Sequence, residues 1–322
     1  MTQKQLADFL PGEPFEGFLM LRSGESRTSK AGKTYLDMTL GDCSGEINAK
    51  RWNGDMALPA PSTVLYIRGQ VEDYQGRLQL RVETMRAAND GEADLSILVP
   101  SAPESAEVYL REINETIDGM QSAALRRIVK EMLSMCGDKL TYFPGGQRLH
   151  HAERTGLLHH TVGMLRTAKQ LLQVYPFLRA DLLLSGVIIH DLCKIWEMKS
   201  SELGVVSDYS TDGLLIGHIV RGVTMIHEAA KKVGVSGETV VLLEHMLLSH
   251  HGVPEYGSPK LPMFPEAEVL HTVDLLDARM NEMMGIENRT PAGAFSEKIW
   301  SLDRRLYHPR YDCLDEEPAL EL

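Results

Sequence analysis

Cysteine is scarce in this chain. Only Cys43, Cys136, Cys193 and Cys313 occur among 322 residues, far apart and with no Cys-x-x-Cys pair. That excludes a disulfide scaffold and a zinc ribbon, and it suits a reducing, cytoplasmic compartment. Long apolar runs are missing as well. No stretch approaches the ~20 residues of a membrane span, so no membrane partner is expected. The most apolar run, Leu182 to Ile189, contains Ser185 and Gly186 and ends on His190-Asp191, as a buried helix would. Met1 to Leu10 has neither the basic start nor the apolar core of a secretory leader. Positive charge is also in deficit. Against 45 Asp and Glu stand 33 Lys and Arg, a net charge of −12, which taken alone disfavours nucleic acid.

What is present is ordinary globular material. Hydrophobic residues make up 43% and charged residues 24%, enough for a sizeable core and too apolar for a disordered or collagen-like chain. The length suggests two domains. Charge is unevenly spread: the segment from Phe15 to Arg86 holds ten of the Lys and Arg residues. A mildly basic module therefore sits on an acidic body.

The first part, to about Asp94, reads as strands. Phe15 to Leu21 is strand-like, and Thr34 to Leu40 has the period-two alternation of a half-buried strand. A turn at Gly41 to Gly45 leads to a hairpin partner, Glu46 to Trp52. Val64 to Val71 and Leu78 to Val82 flank a turn at Tyr74-Gln75-Gly76. Five short strands in this length suit a small closed barrel. With the stretch K-T-Y-L-D-M-T-L-G-D-C-S-G-E-I-N-A-K-R-W, the segment resembles an OB-fold of the nucleic-acid-binding type. Such barrels hold single strands with a basic groove and stacking aromatics. Tyr35, Trp52, Tyr66 and Tyr74 are the candidate stackers, Tyr35 and Trp52 foremost. The plainer role for each is to pack or support the barrel.

Pro100 to Glu104 reads as a linker. Everything after it is expected to be helical: 105–116, 122–136, 156–174, 180–196, 214–233, 238–250 and 266–284 all carry apolar residues at three- and four-residue spacing. The end of the chain, from Asp312 to Glu317, is acidic and reads as a frayed tail.

Every histidine but His308 falls between residues 150 and 271. His190-Asp191 at the end of the most apolar helix is costly unless something satisfies both side chains. A bound divalent cation would do so, since neutral histidine is the commonest metal ligand. His160, His218, His250-His251 and Asp274 stand among apolar neighbours in the same way. A single buried histidine is more often a hydrogen-bonded core residue than a ligand, so no one of them decides the matter.

Together they do more. The order His160, His190-Asp191, Asp274 resembles the metal-binding signature of HD-domain phosphohydrolases. The fuller series is G-L-L-H-H-T, I-I-H-D-L-C-K-I-W-E, L-L-I-G-H-I, S-H-H-G-V-P-E-Y-G-S-P and H-T-V-D-L-L-D-A, with the barrel in front. It resembles the YhaM-type 3′-to-5′ exoribonuclease family. The resemblance implies an OB-fold domain over 1–95, a linker over 96–104, an all-helical HD domain over 105–310 and a tail over 311–322. It also implies that His160, His190, Asp191 and Asp274 hold one metal. Asp191 would bridge to a second, held with His218, His250 and His251. Cys193 stands where the family usually has glycine, either filling a gap or altering metal preference. Gly156 stands where three-metal sites carry a glutamate, so two ions are favoured over three.

Imidazole with carboxylate suits manganese, iron, cobalt, nickel or zinc better than calcium or magnesium, and manganese is the favoured expectation. Two metals sharing an aspartate acidify a water and stabilise an in-line phosphodiester displacement. Asp191 and Lys194 are the expected catalytic pair, Lys194 steadying a phosphate oxygen or else only pairing with a carboxylate. Arg148, His150 and His151 are expected to contact substrate phosphates. His271 and Asp277, one turn either side of Asp274, are candidates to orient ligands or else simply lie on a solvated face. The reading is a metal-dependent 3′-to-5′ exoribonuclease acting on single-stranded RNA or DNA, with a homo-oligomer implied by the family. Two other readings stay open: a phosphohydrolase of free or signalling nucleotides with a regulatory barrel, and a binding protein with a structural metal.

Overall fold

Alternation in the N-terminal part translates directly into a barrel. In the computed structural model, which describes residues 3–29, 32–52, 57–89, 91–147 and 150–311, five strands form it. They are β1 (Pro14–Thr28), β2 (Thr34–Gly41), β3 (Glu46–Arg51), β4 (Val64–Tyr74) and β5 (Arg77–Ala87). The sheet closes in the order β1-β2-β3-β5-β4, with β3 and β5 parallel and the other pairs antiparallel. This is the five-stranded OB topology. β1 is long enough to pair with both β2 and β4, and a bulge between Leu21 and Ser23 bends it around the barrel. Inward residues fill the interior, among them Leu19, Leu36, Met38, Leu40, Leu65, Ile67 and Leu80. Gly69 is required where β4 passes β5, because a Cβ there would lie 2.3 Å from the Arg81 carbonyl oxygen. Gln75 and Gly76 both take positive φ, the two-residue turn that matches strand twist.

The segment expected as a linker is tied down. Leu98 and Val99 are buried, the Cys43 amide donates to Ile97, and Arg154 exchanges backbone hydrogen bonds with Pro100 and Ala102.

The second part is built on helices α1 (Ala106–Asp118), α2 (Ala123–Cys136), α3 (Gly156–Val174), α4 (Ala180–Ile189), α5 (Lys194–Glu197), α6 (Thr211–Leu215), α7 (Gly217–Lys232), α8 (Glu238–Ser249) and α9 (Pro265–Glu287). α4 lies at the centre and touches α2, α3, α8 and α9. Leu182 to Ile189 are buried all round, and each large aliphatic side chain there stabilises the fold by about 1.5–3 kcal/mol. That rigid surround offsets the cost of placing polar side chains at its C-terminal end.

Three expectations are corrected. The helix predicted over 180–196 breaks at 190–193, where short-range bonds such as Lys194 N–H to Asp191 C=O tighten the chain. The helix predicted over 214–233 breaks at Gly217, whose φ of +74° lies in the left-handed region that favours glycine. The region after the linker is also not wholly helical. It contains a two-stranded hairpin, β6 (Met198–Ser200) with β7 (Val206–Tyr209), and beyond α9 the described chain forms only isolated bridges, Phe295 with Tyr307 and Ile299 with Arg304. No helix among the described residues is long and apolar enough to cross a membrane.

Candidate metal centre

The breaks that sequence periodicity missed are what build the site. The tightened turn after α4 brings the neighbouring side chains of His190 and Asp191 to one centre, Nε2 to Oδ2 3.3 Å. α3 adds His160, whose Nε2 lies 3.3 Å from His190 Nε2 and 3.2 Å from Asp274 Oδ1 on α9. On the other side of Asp191, Oδ1 faces His218 Nε2 at 3.5 Å and His250 Nε2 at 3.8 Å, with His251 in the same group. The structure thus brings all seven expected ligands together, in two sets that share Asp191.

Each histidine is aimed by its other nitrogen. Nδ1 of His160 bonds Asp277 at 2.7 Å and Nδ1 of His218 bonds Glu197 at 2.9 Å. Nδ1 of His190, His250 and His251 donates to the carbonyls of Val187, Leu247 and Tyr256 at 2.9, 2.7 and 2.6 Å. Every Nε2 is therefore left facing the centre, the tautomer a metal ligand needs. His271 acts on the backbone instead, Nδ1 donating to His250 C=O at 2.9 Å. Nothing local in the sequence singles out Glu197. Its part depends on the Gly217 break, which also turns the His218 amide onto the same carboxylate at 3.2 Å.

The electrostatics fit a cation. Asp191 Oδ1, His218 Nε2 and His250 Nε2 are buried and have no hydrogen-bond partner, a cost of about 1–3 kcal/mol for each such group. The three orphans converge on one side of the centre, and imidazole with carboxylate fits a divalent transition metal. Burial opposes the charge on Asp191, but Lys194, His190 and His218 outweigh it and hold the carboxyl well below its usual range. Burial, then His251 and His190, push His250 down, so its ring is neutral and available as a ligand.

Lys194 Nζ lies 2.6 Å from Asp191 Oδ2 and 2.8 Å from Gly145 C=O. One of its three donors is left for the adjoining cleft, which it lines. His150 lines the same cleft, and burial, followed by Lys194, pushes its pKa down to about 3. Arg148 lies outside the described residues. His151 is not placed for substrate: it is 4% exposed and its Nε2 bonds Asp277 at 2.7 Å. A positive φ of 50° turns its ring inward behind His160. Cys193 is not among the ligand atoms either. Its sulfur packs 3.1 Å from Met225 Sδ in the core. At Gly156 a Cβ would lie 2.1 Å from His151 C=O, so this backbone leaves no space for a longer side chain there.

On the barrel, Tyr35 and Trp52 stack with ring centroids 4.7 Å apart. Lys50 lies over Tyr35 at 5.7 Å and over Tyr74 at 5.4 Å. Tyr66 stands apart, occupied by Phe18, Glu16 and Arg86.

Comparison with known proteins identifies the family. The HD domain model matches residues 157–279. The chain is 39% identical over 316 residues to the 3′-5′ exoribonuclease YhaM of Listeria monocytogenes serovar 1/2a, covering 96% of this chain and 100% of that protein. It is 37% identical over 309 residues to the 3′-5′ exoribonuclease YhaM of Geobacillus sp., covering 95% and 94%. Among solved structures, the second OB-fold domain of replication protein A from Methanococcus maripaludis is similar at 14% identity. It covers 28% of this chain and 98% of that one, with a TM-score of 0.24. At such identity over almost the whole of both chains, this protein belongs to the YhaM family of 3′-to-5′ exoribonucleases.

Proposed function

We propose that the protein removes nucleotides from the 3′ end of single-stranded RNA, at a centre holding two divalent ions, manganese favoured. The observation that carries the two-ion reading is the set of three orphaned buried atoms, Asp191 Oδ1, His218 Nε2 and His250 Nε2. They lie beside a second set, in which His160 and His190 face Asp191 Oδ2 and Asp274 faces His160. The first ion would sit with His160, His190, Asp191 and Asp274, and the second with Asp191, His218, His250 and His251. When bound, such a pair supplies a water acidified toward neutral pH and charge to stabilise phosphodiester displacement.

The rest falls to the chain itself. Lys194 holds Asp191 in place and turns its remaining donor to a phosphate oxygen in the cleft. His150, neutral and half-buried at the cleft wall, offers a hydrogen bond without adding charge. Tyr35 and Trp52 present ring faces, and Lys50 adds positive charge beside them, which suits a single strand laid across the barrel. Local charge of this kind explains how a chain of net charge −12 accepts a polyanion. The reading includes a homo-oligomer, checked by light scattering.

The test uses metal-stripped protein reloaded with manganese, zinc, cobalt or magnesium, and 5′-labelled single-stranded RNA and DNA of one sequence. A metal-dependent ladder shortening from the 3′ end, absent in Asp191→Ala, is the expected result. Hydrolysis of free nucleotides with no cleavage of RNA by any reloaded form would replace this reading with the nucleotide phosphohydrolase.

A further inference from the structure

The cleft beside the metal cluster extends further than metal chemistry needs. Its cavity is 660 Å³, and along α9 it is lined by Asp274, Leu275, Ala278, Arg279 and Glu282. Those positions share one helix face. At about 1.5 Å per residue, Arg279 lies about 7.5 Å and Glu282 about 12 Å along the axis from Asp274. That length is comparable to one nucleoside with its phosphate.

The far end has an unusual chemistry for a polyanion site. Trp300, 79% exposed, lines the cleft from the tip of a turn closed by the Ile299–Arg304 bridge. Ser301 Oγ donates to Glu282 and so ties that turn to α9. The Arg279 side chain makes no ion pair or hydrogen bond among the described residues, although Glu282 is one turn away. A carboxylate repels phosphate, so Glu282 suits a part of the substrate that carries donors and no phosphate. In a linear RNA only the 3′-terminal nucleoside offers two adjacent hydroxyls with no phosphate on its 3′ side. The carboxylate keeps acceptor sites free after taking one bond from Ser301. An exposed indole next to it is a stacking surface for any base.

We propose that Trp300, Glu282 and Arg279 form a subsite for the 3′-terminal ribonucleoside. Trp300 stacks on its base, Glu282 accepts from its 2′- and 3′-hydroxyls, and Arg279 pairs the phosphate joining it to the chain. The proposal rests on the exoribonuclease reading and adds what selects the end: a free ribose terminus is favoured, and 2′-deoxy or 3′-phosphate ends are disfavoured.

The test measures release of the first nucleotide by manganese-loaded wild type, Trp300→Ala, Trp300→Phe and Glu282→Gln. The RNAs end in a normal ribonucleotide, an abasic ribose, a 2′-deoxynucleotide or a 3′-phosphate. On the normal end, Trp300→Ala raises KM about tenfold, the scale of one lost base stack, with kcat changed less than twofold, and Trp300→Phe recovers most of the loss. On the abasic end, Trp300→Ala and wild type are equally weak. Glu282→Gln narrows the preference for ribose over 2′-deoxyribose and improves the 3′-phosphate substrate. The subsite is overturned if Trp300→Ala weakens the abasic substrate as much as the normal one. An unchanged wild-type KM on the abasic end overturns it as well. Wild type that cuts none of these RNAs removes the underlying exoribonuclease reading, a result the variants cannot mimic.

Discussion

Asp277 Oδ2 lies 2.7 Å from Nδ1 of His160 and fixes which nitrogen of that ring faces the metal centre. The same oxygen takes His151 Nε2 at 2.7 Å, so two buried imidazoles are held by one carboxylate. Burial opposes the charge of Asp277, and the hydrogen bonds from His151 and His160 outweigh it, keeping the group ionised. Asp277→Asn keeps the shape but removes the charge. Metal affinity should fall about 10–100-fold, as is usual when a partner of a ligating histidine is lost. Titration of stripped protein with manganese, read by calorimetry, checks this. Unchanged affinity would mean that Asp277 only packs.

The pH dependence follows from His160. In metal-free protein burial lowers its pKa, but the hydrogen bonds to Asp274 and Asp277 outweigh burial and raise it to about 9. The folded value lies above the unfolded one of about 6.5. The stability this proton contributes is therefore full below about pH 6.5 and is lost as pH rises through about 9. Metal binding has the opposite sign, because the ligand must first release that proton. Thermal melts with chelator and with manganese, from pH 6.5 to 9, should show the gain in Tm on metal addition widening as pH rises. A gain that stays flat would show that no proton competes at this site.

How much of this the sequence carries depends on whether the signal is local. His190-Asp191 could be read because two polar side chains interrupt an apolar helix, and the barrel because period-two alternation reports an inward face. Glu197 could not. It meets His218 only because Gly217 takes a positive φ and breaks a helix that periodicity draws as continuous. His151 reads as a basic neighbour of the first ligand helix, yet its backbone turns the ring inward. Trp300 lies in a segment without periodicity, and only the tertiary fold brings it beside Arg279 and Glu282.

The barrel surface predicts a contrast between two tyrosine environments. Tyr35 stacks with Trp52 and has Lys50 over its ring, whereas Tyr66 is engaged by Glu16 and Arg86. In an Asp191→Ala background, Trp52→Ala should weaken single-stranded RNA binding by about 1–3 kcal/mol for each stacked base lost. Lys50→Gln should reduce the salt slope by about one, and Tyr66→Ala should leave affinity within twofold. Fluorescence anisotropy across a salt series reads all three. Equal losses at Trp52 and Tyr66 would move the strand to another face.

Cys193 separates a core role from a ligand role. Its side chain is fully buried against Met225, and its sulfur would be 3.7 Å from a Cβ at Gly222 on α7. Burial pushes the thiol pKa up, so the sulfur stays protonated and is a poor metal ligand. Cys193→Ser replaces that thiol with a hydroxyl that finds no good acceptor beside Met225. Stability should drop by about 1–3 kcal/mol while the metal content per chain stays the same. Urea unfolding and elemental analysis of the same preparation measure both. Lost metal with unchanged stability would make the sulfur part of the metal centre after all.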